Sequence, residues 1–185
     1  HLASLSLSIQ SLFLLPAIIK YNFLNQPIEQ LGDEPITVSC FKEAETHTQL
    51  GICTRDTRGT FRRITGVLAA ENTNIISAEI ETRNDGLVID AINLTDESNR
   101  KGLSAEQRDR ITQTLKGVWH GKVDFESALQ QQRNDSDLQG AGRRDLSPEI
   151  KVDNSGSDLA TIIDIRAQDR VGLLYTISDT FYNLN

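Results

Sequence analysis

The stretch TRDTRGTFRRITGVLAAENTNIISAEI, residues 54–80, is matched by a second stretch near the other end of the chain, IRAQDRVGLLYTISDTFYNLN, residues 165–185. A shift of 113 positions, the separation of Asp56 and Asp169, aligns the two copies. A repeat defines the unit of architecture before any element is assigned, so both copies are expected to share one local structure. The other aligned pairs are Gly59 with Gly172, Phe61 with Leu174, Ile64 with Ile177, Leu68 with Phe181 and Asn72 with Asn185.

Each copy reads as a strand, a tight turn and a helix. In HTQLGICT, residues 47–54, apolar residues alternate with the period of a half-buried strand. The turn runs from Asp56 to Gly59, and apolar residues then recur at helical spacing until Asn72. For the second copy the pattern predicts a strand at Leu159 to Ile165 and a helix at Leu173 to Leu184.

The residues between the copies predict a ferredoxin-like unit. The alternating pattern predicts two strands, at 74–83 (NIISAEIETR) and at 87–96 (LVIDAINLTD). A hairpin turn is predicted between them at 84–86 (NDG), because these residues tolerate the positive φ of a tight hairpin. Ser104 to Trp119 reads as a helix with a capping box formed by Ser104 and Gln107. PEIKVDN (148–154) then supplies a last short strand, which gives the order β-α-β-β-α-β and an α+β fold.

These elements predict three regions. Residues 47–154 form a first domain, with a flexible polar excursion at about 121–147 that is helical at most before Gln132. Residues 155–185 begin a second copy that stops after its first helix.

Residues 1–46 are predicted to be the remnant of an upstream domain and a connector. LASLSLSIQSLFLLPAII, residues 2–19, lacks the basic flank of a signal peptide and the sustained apolar run of a spanning helix. We expect a buried helix there, with a secretory segment as the alternative, and at most a short helix and one strand in residues 21–46. The chain starts at His1 and contains no methionine, so we expect a fragment.

Composition narrows the function classes. The net charge of −7 argues against a nucleic-acid footprint, which needs a basic face. An RNA-recognition sheet of this topology would also need aromatic residues on its central strands, where this chain has IISAEIE and LVIDAINL. Cys40 and Cys53 stand apart from metal-ligand spacing, a usage that fits a reducing cytoplasm.

The Asp-x-x-Gly turn has the chemistry of an amino-acid site. A helix N-terminus offers unpaired N–H groups and a positive dipole end to a carboxylate, and glycine allows close approach to the backbone. Asp56 and Asp169 would either hold an α-ammonium group or cap their helices. Gly59 and Gly172 complete the candidate turns. Asp90 lies on the apolar face of its strand, where we expect a backbone or arginine partner, with a ligand role as the alternative.

From about residue 48 to residue 185 the chain resembles the C-terminal tandem ACT region of the bifunctional uridylyltransferase/uridylyl-removing family, which modifies the PII nitrogen-signalling protein. The resemblance rests on the Asp-x-x-Gly turn, on NI at Asn74 and Ile75, and above all on VDN at 152–154. The family usually has Asp-Arg-Pro-Gly at the turn; here both copies, Asp-Thr-Arg-Gly and Asp-Arg-Val-Gly, lack the proline.

The resemblance implies a cytoplasmic regulatory region that senses an amino acid, most naturally glutamine. It implies that Asn74 and Ile75 lend backbone groups to the ligand, that PII and upstream catalytic domains are the partners, and that Mg²⁺ is used upstream while this chain needs no cofactor. It implies no membrane or nucleic-acid partner, and the open sheet edges predict self-association.

No catalytic site is predicted in this chain. His1, His47 and His120 do not stand at metal-binding or base-nucleophile spacing. The chain also has no Gly-Ser segment with a spaced Asp-x-Asp pair, as a nucleotidyltransferase needs to hold metal and phosphate, and no His-Asp doublet, as a metal hydrolase needs. Two alternatives stay open: an interaction module that binds no small molecule, and the ACT region of another metabolic regulator.

Overall fold

In the computed structural model the described residues are 2–5, 34–43, 46–130, 147–156 and 161–184. Residues 131–146 of the predicted excursion at about 121–147 lie outside them, as does most of the predicted N-terminal helix. The strands are β1 (Leu2–Leu5), β2 (Ile36–Glu43), β3 (Thr48–Arg55), β4 (Thr73–Thr82), β5 (Leu87–Asp96), β6 (Glu149–Asp153) and β7 (Ile162–Gln168). The helices are α1 (Thr60–Ala70), α2 (Ala105–Trp119) and α3 (Leu173–Leu184), and residues 125–130 are also helical.

The first sheet has four antiparallel strands in the order β2-β3-β5-β4, an arrangement compatible with a ferredoxin-like fold. Alternate residues of β3 and β5 face α1 and α2, as the period of the sequence predicts. The predicted capping box of α2 is confirmed, since Ser104 accepts from the Gln107 amide while the Gln107 side chain accepts from the Ser104 amide. The fully buried core residues shared by these elements include Leu50, Ile52, Ile64, Leu68, Ile92, Leu94, Ile111 and Leu115.

The prediction that residues 148–154 complete the first sheet is wrong. β6 pairs instead with β7, with Val152 opposite Ile163, in a second sheet of order β1-β7-β6. The edge of β3 that a last strand would take is already occupied by β2, which pairs with it from Ile36 opposite Thr54 onward. β6 therefore opens the second unit and does not close the first.

The N-terminal prediction is also wrong where the structure describes it. Leu2–Leu5 forms a strand, β1, that pairs antiparallel with β7, with Leu2 opposite Gln168. The sequence SLSLS that follows Ala3 alternates serine with leucine, which is the period of a strand and not of a helix. β2 is consistent with the one strand predicted in the connector.

The repeated unit proves longer than the matched sequences. Glu149, the first residue of β6, stands 113 positions after Ile36, the first residue of β2. Each copy is thus strand, strand, turn and helix. The second copy's central strand, β7, is Ile162–Gln168 and so runs three residues beyond its predicted end, which places it at the same distance from the turn as β3.

The helices α1 and α3 pack against each other in an arrangement that approaches two-fold symmetry. Thr65 Oγ1 lies 3.0 Å from Ser178 Oγ, and these two residues are repeat equivalents. Their neighbours contact reciprocally: a Cβ atom on Gly59 would lie 2.8 Å from Tyr182 Cε2, and one on Gly172 would lie 3.6 Å from Ala69 Cβ. Tyr182 is the equivalent of Ala69, so each helix presents one surface to the other, as in an isologous dimer.

Candidate ligand-binding site

Both Asp-x-x-Gly turns end on a glycine with a similar, positive φ. Gly59 has φ 79° and Gly172 has φ 77°, in the left-handed region that favours glycine. Each glycine carbonyl accepts the first helical hydrogen bond, from Arg63 N at 3.0 Å and from Thr176 N at 2.9 Å. Both turns adopt this geometry without the proline, with Arg58 and Val171 at its position.

In the first turn, Asp56 does not cap α1. The N-cap residue is Gly59, which makes no side-chain capping bond, and the turn is closed instead by Thr60 Oγ1, which donates to Thr57 O at 2.7 Å. Asp56 is held through its backbone, whose N–H donates to Gly86 O at 2.7 Å. Its carboxylate is exposed, so the capping alternative fails for this residue.

The second turn meets the first unit at the start of β4. Asn74 Nδ2 donates to Asp169 Oδ2 at 3.2 Å, across the boundary between the two copies. The crevice between them also includes Ile75 and Gly172, so four of the six candidate residues lie together. Its volume is about 10 Å³, which is the space of about one water molecule.

The first turn borders a much larger, open pocket of about 750 Å³. Asp56 and Gly59 line it on one side, and Phe181 and Tyr182 of α3 line it on the other. Arg58 stands over the Tyr182 ring, with the guanidinium carbon 4.7 Å from the ring centre, and donates to the Tyr182 carbonyl at 3.0 Å. The structure thus brings two candidate residues to this pocket and four to the crevice.

Arg62 of α1 is a functional candidate that the sequence did not reveal. Its side chain is 15% exposed and forms ion pairs with Asp179 of α3 and with Glu126, at 2.6 Å for the latter. Burial lowers the pKa of Arg62, but the hydrogen bonds to Asp179 and Glu126 outweigh it and raise that pKa above its ordinary value. The repeat gives one hint in the sequence: Arg62 occupies the position in the first copy that Tyr175 occupies in the second.

Asp90 lies on the core face as predicted, but the expected partner is absent. Its side chain is fully buried, and neither carboxylate oxygen has a hydrogen-bond partner within the described part of the chain. Burial raises the pKa of Asp90 to about 7. It lines neither the crevice nor the pocket at the turns, so it bears on stability more than on a ligand.

Within residues 2–5, 34–43, 46–130, 147–156 and 161–184, no group of three or more histidine, cysteine, aspartate or glutamate residues could hold a metal ion. Over the same ranges, none of the helices has the length and apolar character needed to cross a membrane.

Several proteins are similar to most of this chain. A bifunctional uridylyltransferase/uridylyl-removing enzyme of Rhodopseudomonas palustris is 29% identical over 157 residues, which cover 85% of this chain and 17% of the relative. The enzyme of the same name from Bradyrhizobium sp. (strain ORS 278) is 28% identical over 171 residues, 92% of this chain and 18% of the relative. That of Rhodospirillum rubrum is 30% identical over 128 residues, 69% of this chain and 14% of the relative. The chain therefore spans less than a fifth of the length of these relatives, and no protein-family model and no solved structure matches it.

Proposed function

We propose that this chain, which is related to one segment of the bifunctional uridylyltransferase/uridylyl-removing enzymes, is a regulatory segment that binds a free amino acid between its two repeated units. The observation that carries the proposal is the contact of Asn74 with Asp169. It joins the start of β4 in one unit to the Asp-x-x-Gly turn of the other, which is where the candidate residues converge.

The groups at the crevice suit the two charged ends of an amino acid. Asp169 supplies an anion for the α-ammonium group, and the first turn of α3 supplies N–H groups and a positive dipole end for the α-carboxylate. Gly172 lets the ligand approach the backbone, because it has no side chain. Asn74 and Ile75 contribute backbone groups from β4. Glutamine as the ligand follows from the resemblance to tandem ACT regions and not from the geometry.

The small size of the crevice gives the site a regulatory character. A volume of about 10 Å³ cannot hold an amino acid, so binding requires the bond between Asn74 and Asp169 to break and the units to move apart. A ligand that binds only the opened arrangement shifts the population toward it. A coupling of roughly 1–3 kcal/mol is typical of such linkage and is enough to change a distant site several-fold.

In the whole enzyme, the opened arrangement would bias the upstream domains between uridylylation and deuridylylation of PII, with Mg²⁺ serving those domains. In this proposal the two units are ACT domains of a cytoplasmic protein.

An interaction module is the second candidate. It is favoured by apolar side chains that stay exposed on the second unit, among them Ile150 at 61% and Val152 at 60%. In this reading the units bind other domains or a second copy of the chain through sheet edges and this apolar surface.

Calorimetric titration with glutamine and a panel of other amino acids tests the proposal. We expect saturable binding of glutamine that weakens at least about tenfold in Asp169→Asn, because a charged hydrogen bond contributes roughly 1.5–3 kcal/mol. Asp109→Asn is the matched control, since Asp109 is an exposed acid on α2. Absence of binding by any amino acid to a folded chain would exclude the sensor and leave the interaction module.

A further inference from the structure

A third element joins the contact between α1 and α3. Phe125, the first residue of the helical segment 125–130, is only 6% exposed and packs beside Gly66 of α1 and Tyr175 of α3. Its ring stands edge-on to the Tyr175 ring, with ring centres 6.2 Å apart and planes at 84°. A Cβ atom on Gly66 would lie 2.3 Å from Phe125 Cε2, so the absence of a side chain there is what admits the ring.

The same segment makes a charged contact at this junction. Arg62 reaches Glu126 of the segment and Asp179 of α3 at once, and one guanidinium therefore connects all three helical elements. Its carbon lies 5.5 Å from the centre of the Phe125 ring and 5.7 Å from that of Tyr175. These cation–π distances place the charge above an aromatic cluster that is largely shielded from water.

The segment is anchored in the first unit and extends toward the second. Leu129, one turn after Phe125, is 3% exposed and belongs to the first unit's core. Several of the direct contacts between α1 and α3 involve small or polar groups, such as Thr65 with Ser178 and Gly172 with Ala69. Phe125 and Tyr175 add large, buried aromatic surface where the two helices meet.

From these contacts we propose that residues 125–130 are a latch, which holds α1 against α3 and so keeps the crevice between Asn74 and Asp169 closed. When Phe125 and Glu126 withdraw, the junction loses the Phe125–Tyr175 contact and the Arg62–Glu126 ion pair, and the remaining contacts between the units, among them Arg62 with Asp179, hold the helices less firmly. The latch directly precedes the polar stretch 131–146 in the sequence. Its effect on ligand binding rests on the proposed function, but its effect on helix pairing does not.

Disulfide formation between α1 and α3 measures the latch without any ligand. In the double variant Thr65→Cys with Ser178→Cys, the two sulfur atoms replace oxygens that lie 3.0 Å apart, close enough to bond when the helices are paired. Mild oxidation should therefore cross-link the two helices rapidly. A variant that carries only one of the two substitutions keeps Cys40 and Cys53, as the double variant does, and should not form this cross-link.

Removing the latch should slow that reaction. We expect roughly tenfold slower cross-linking with Phe125→Ala and roughly two- to fivefold slower cross-linking with Glu126→Gln, whose side chain is partly exposed. Glu106→Gln is the matched control, because it removes an ion pair with Arg110 within α2 and should leave the rate unchanged. If Phe125→Ala unfolds the chain, Glu126→Gln still decides the question. Equal rates in Glu126→Gln and Glu106→Gln would overturn the latch.

Titration of the same variants separates the two proposals. If both hold, Glu126→Gln should bind glutamine roughly two- to fivefold more tightly, because less latch energy opposes opening of the crevice. Slower cross-linking with no glutamine binding in any variant would remove the ligand proposal and keep the latch. Glutamine binding with unchanged cross-linking would keep the ligand proposal and remove the latch.

Discussion

At the scale of single residues, the most consequential side chain outside the candidate site is Asp90. Its carboxylate lies among Ile52 and Ile80 of the neighbouring strands, with no partner for either oxygen among the described residues. Burial without a partner disfavours the charged form, which raises the pKa of Asp90 from 3.8 to about 7. The sequence predicted the burial of this residue, because the strand period fixes its face. The missing partner depends on what surrounds that face in space, which no local pattern reports.

Replacement of this carboxylate should stabilise the protein in a pH-dependent way. The native state binds the Asp90 proton more tightly than the unfolded state does, so the contribution of Asp90 to stability is most favourable at low pH and is lost as the pH rises from about 4 through about 7. Asp90→Asn keeps the shape and removes the charge, and should raise the free energy of unfolding by roughly 2–4 kcal/mol at pH 8. Urea unfolding at pH 5 and pH 8 measures this. A gain that is equal at both pH values would contradict the titration of Asp90, and Asp109→Asn should show no gain.

At the scale of elements, local patterns predicted most strands and helices, but strand pairing was harder to predict. The capping box at Ser104 and the turn glycines follow from chemistry within a few residues, and both are present. The partner of β6 was wrongly predicted because 148–154 has the same alternating pattern whichever sheet it joins. The presence of β2 at the edge of β3 is what excludes β6 from the first sheet. The sequence around β2 predicts a strand only weakly, so this exclusion could not be foreseen.

In the candidate site, too, the sequence predicted the local turns but not which distant elements meet. The sequence identified the turns from their Asp-x-x-Gly spacing, and the structure shows that Asn74 faces the turn of the other unit. That pairing depends on how α1 and α3 pack, and the residues that set it, such as Arg62 and Phe125, carry no recognisable motif. Contacts between elements 60 residues or more apart are decided by three-dimensional complementarity, as the separation of Arg62 from Glu126 illustrates.

The turn before α1 should tolerate a side chain less well than the hairpin between β4 and β5. Gly59 and Gly86 both have φ 79°, but an added Cβ at Gly59 would lie 2.8 Å from Tyr182 Cε2, whereas nothing lies within 4 Å at Gly86. Gly86→Ala should cost about 1 kcal/mol of stability from backbone strain alone. Gly59→Ala should cost about 1–3 kcal/mol more, because Tyr182 must move. Thermal and urea unfolding of the two variants give the difference. Equal losses would mean that α3 does not press on this turn in solution.

At the scale of the whole molecule, the two units differ in how well their sheets are covered. In the first unit α2 covers the sheet beside α1, with Ile111 and Leu115 fully buried. In the second unit, within the described residues, a groove of about 830 Å³ lies between β6, β7 and α3 and is lined mainly by apolar side chains. Exposed apolar surface of this kind is unfavourable in water and promotes association.

This chain should therefore associate as its concentration rises, and the groove should be responsible. Ile150 and Val152 border it and are 61% and 60% exposed. Replacing both with threonine keeps the strand-forming β-branched shape while making the surface polar, and should shift the association to higher concentration without unfolding the second sheet. Sedimentation velocity over a range of concentrations measures the shift. Ile76→Thr is the control, because Ile76 is 52% exposed on β4 and does not line the groove. An equal effect of the control would assign association to general surface hydrophobicity, and a chain that stays monomeric throughout would show that the groove is covered in solution.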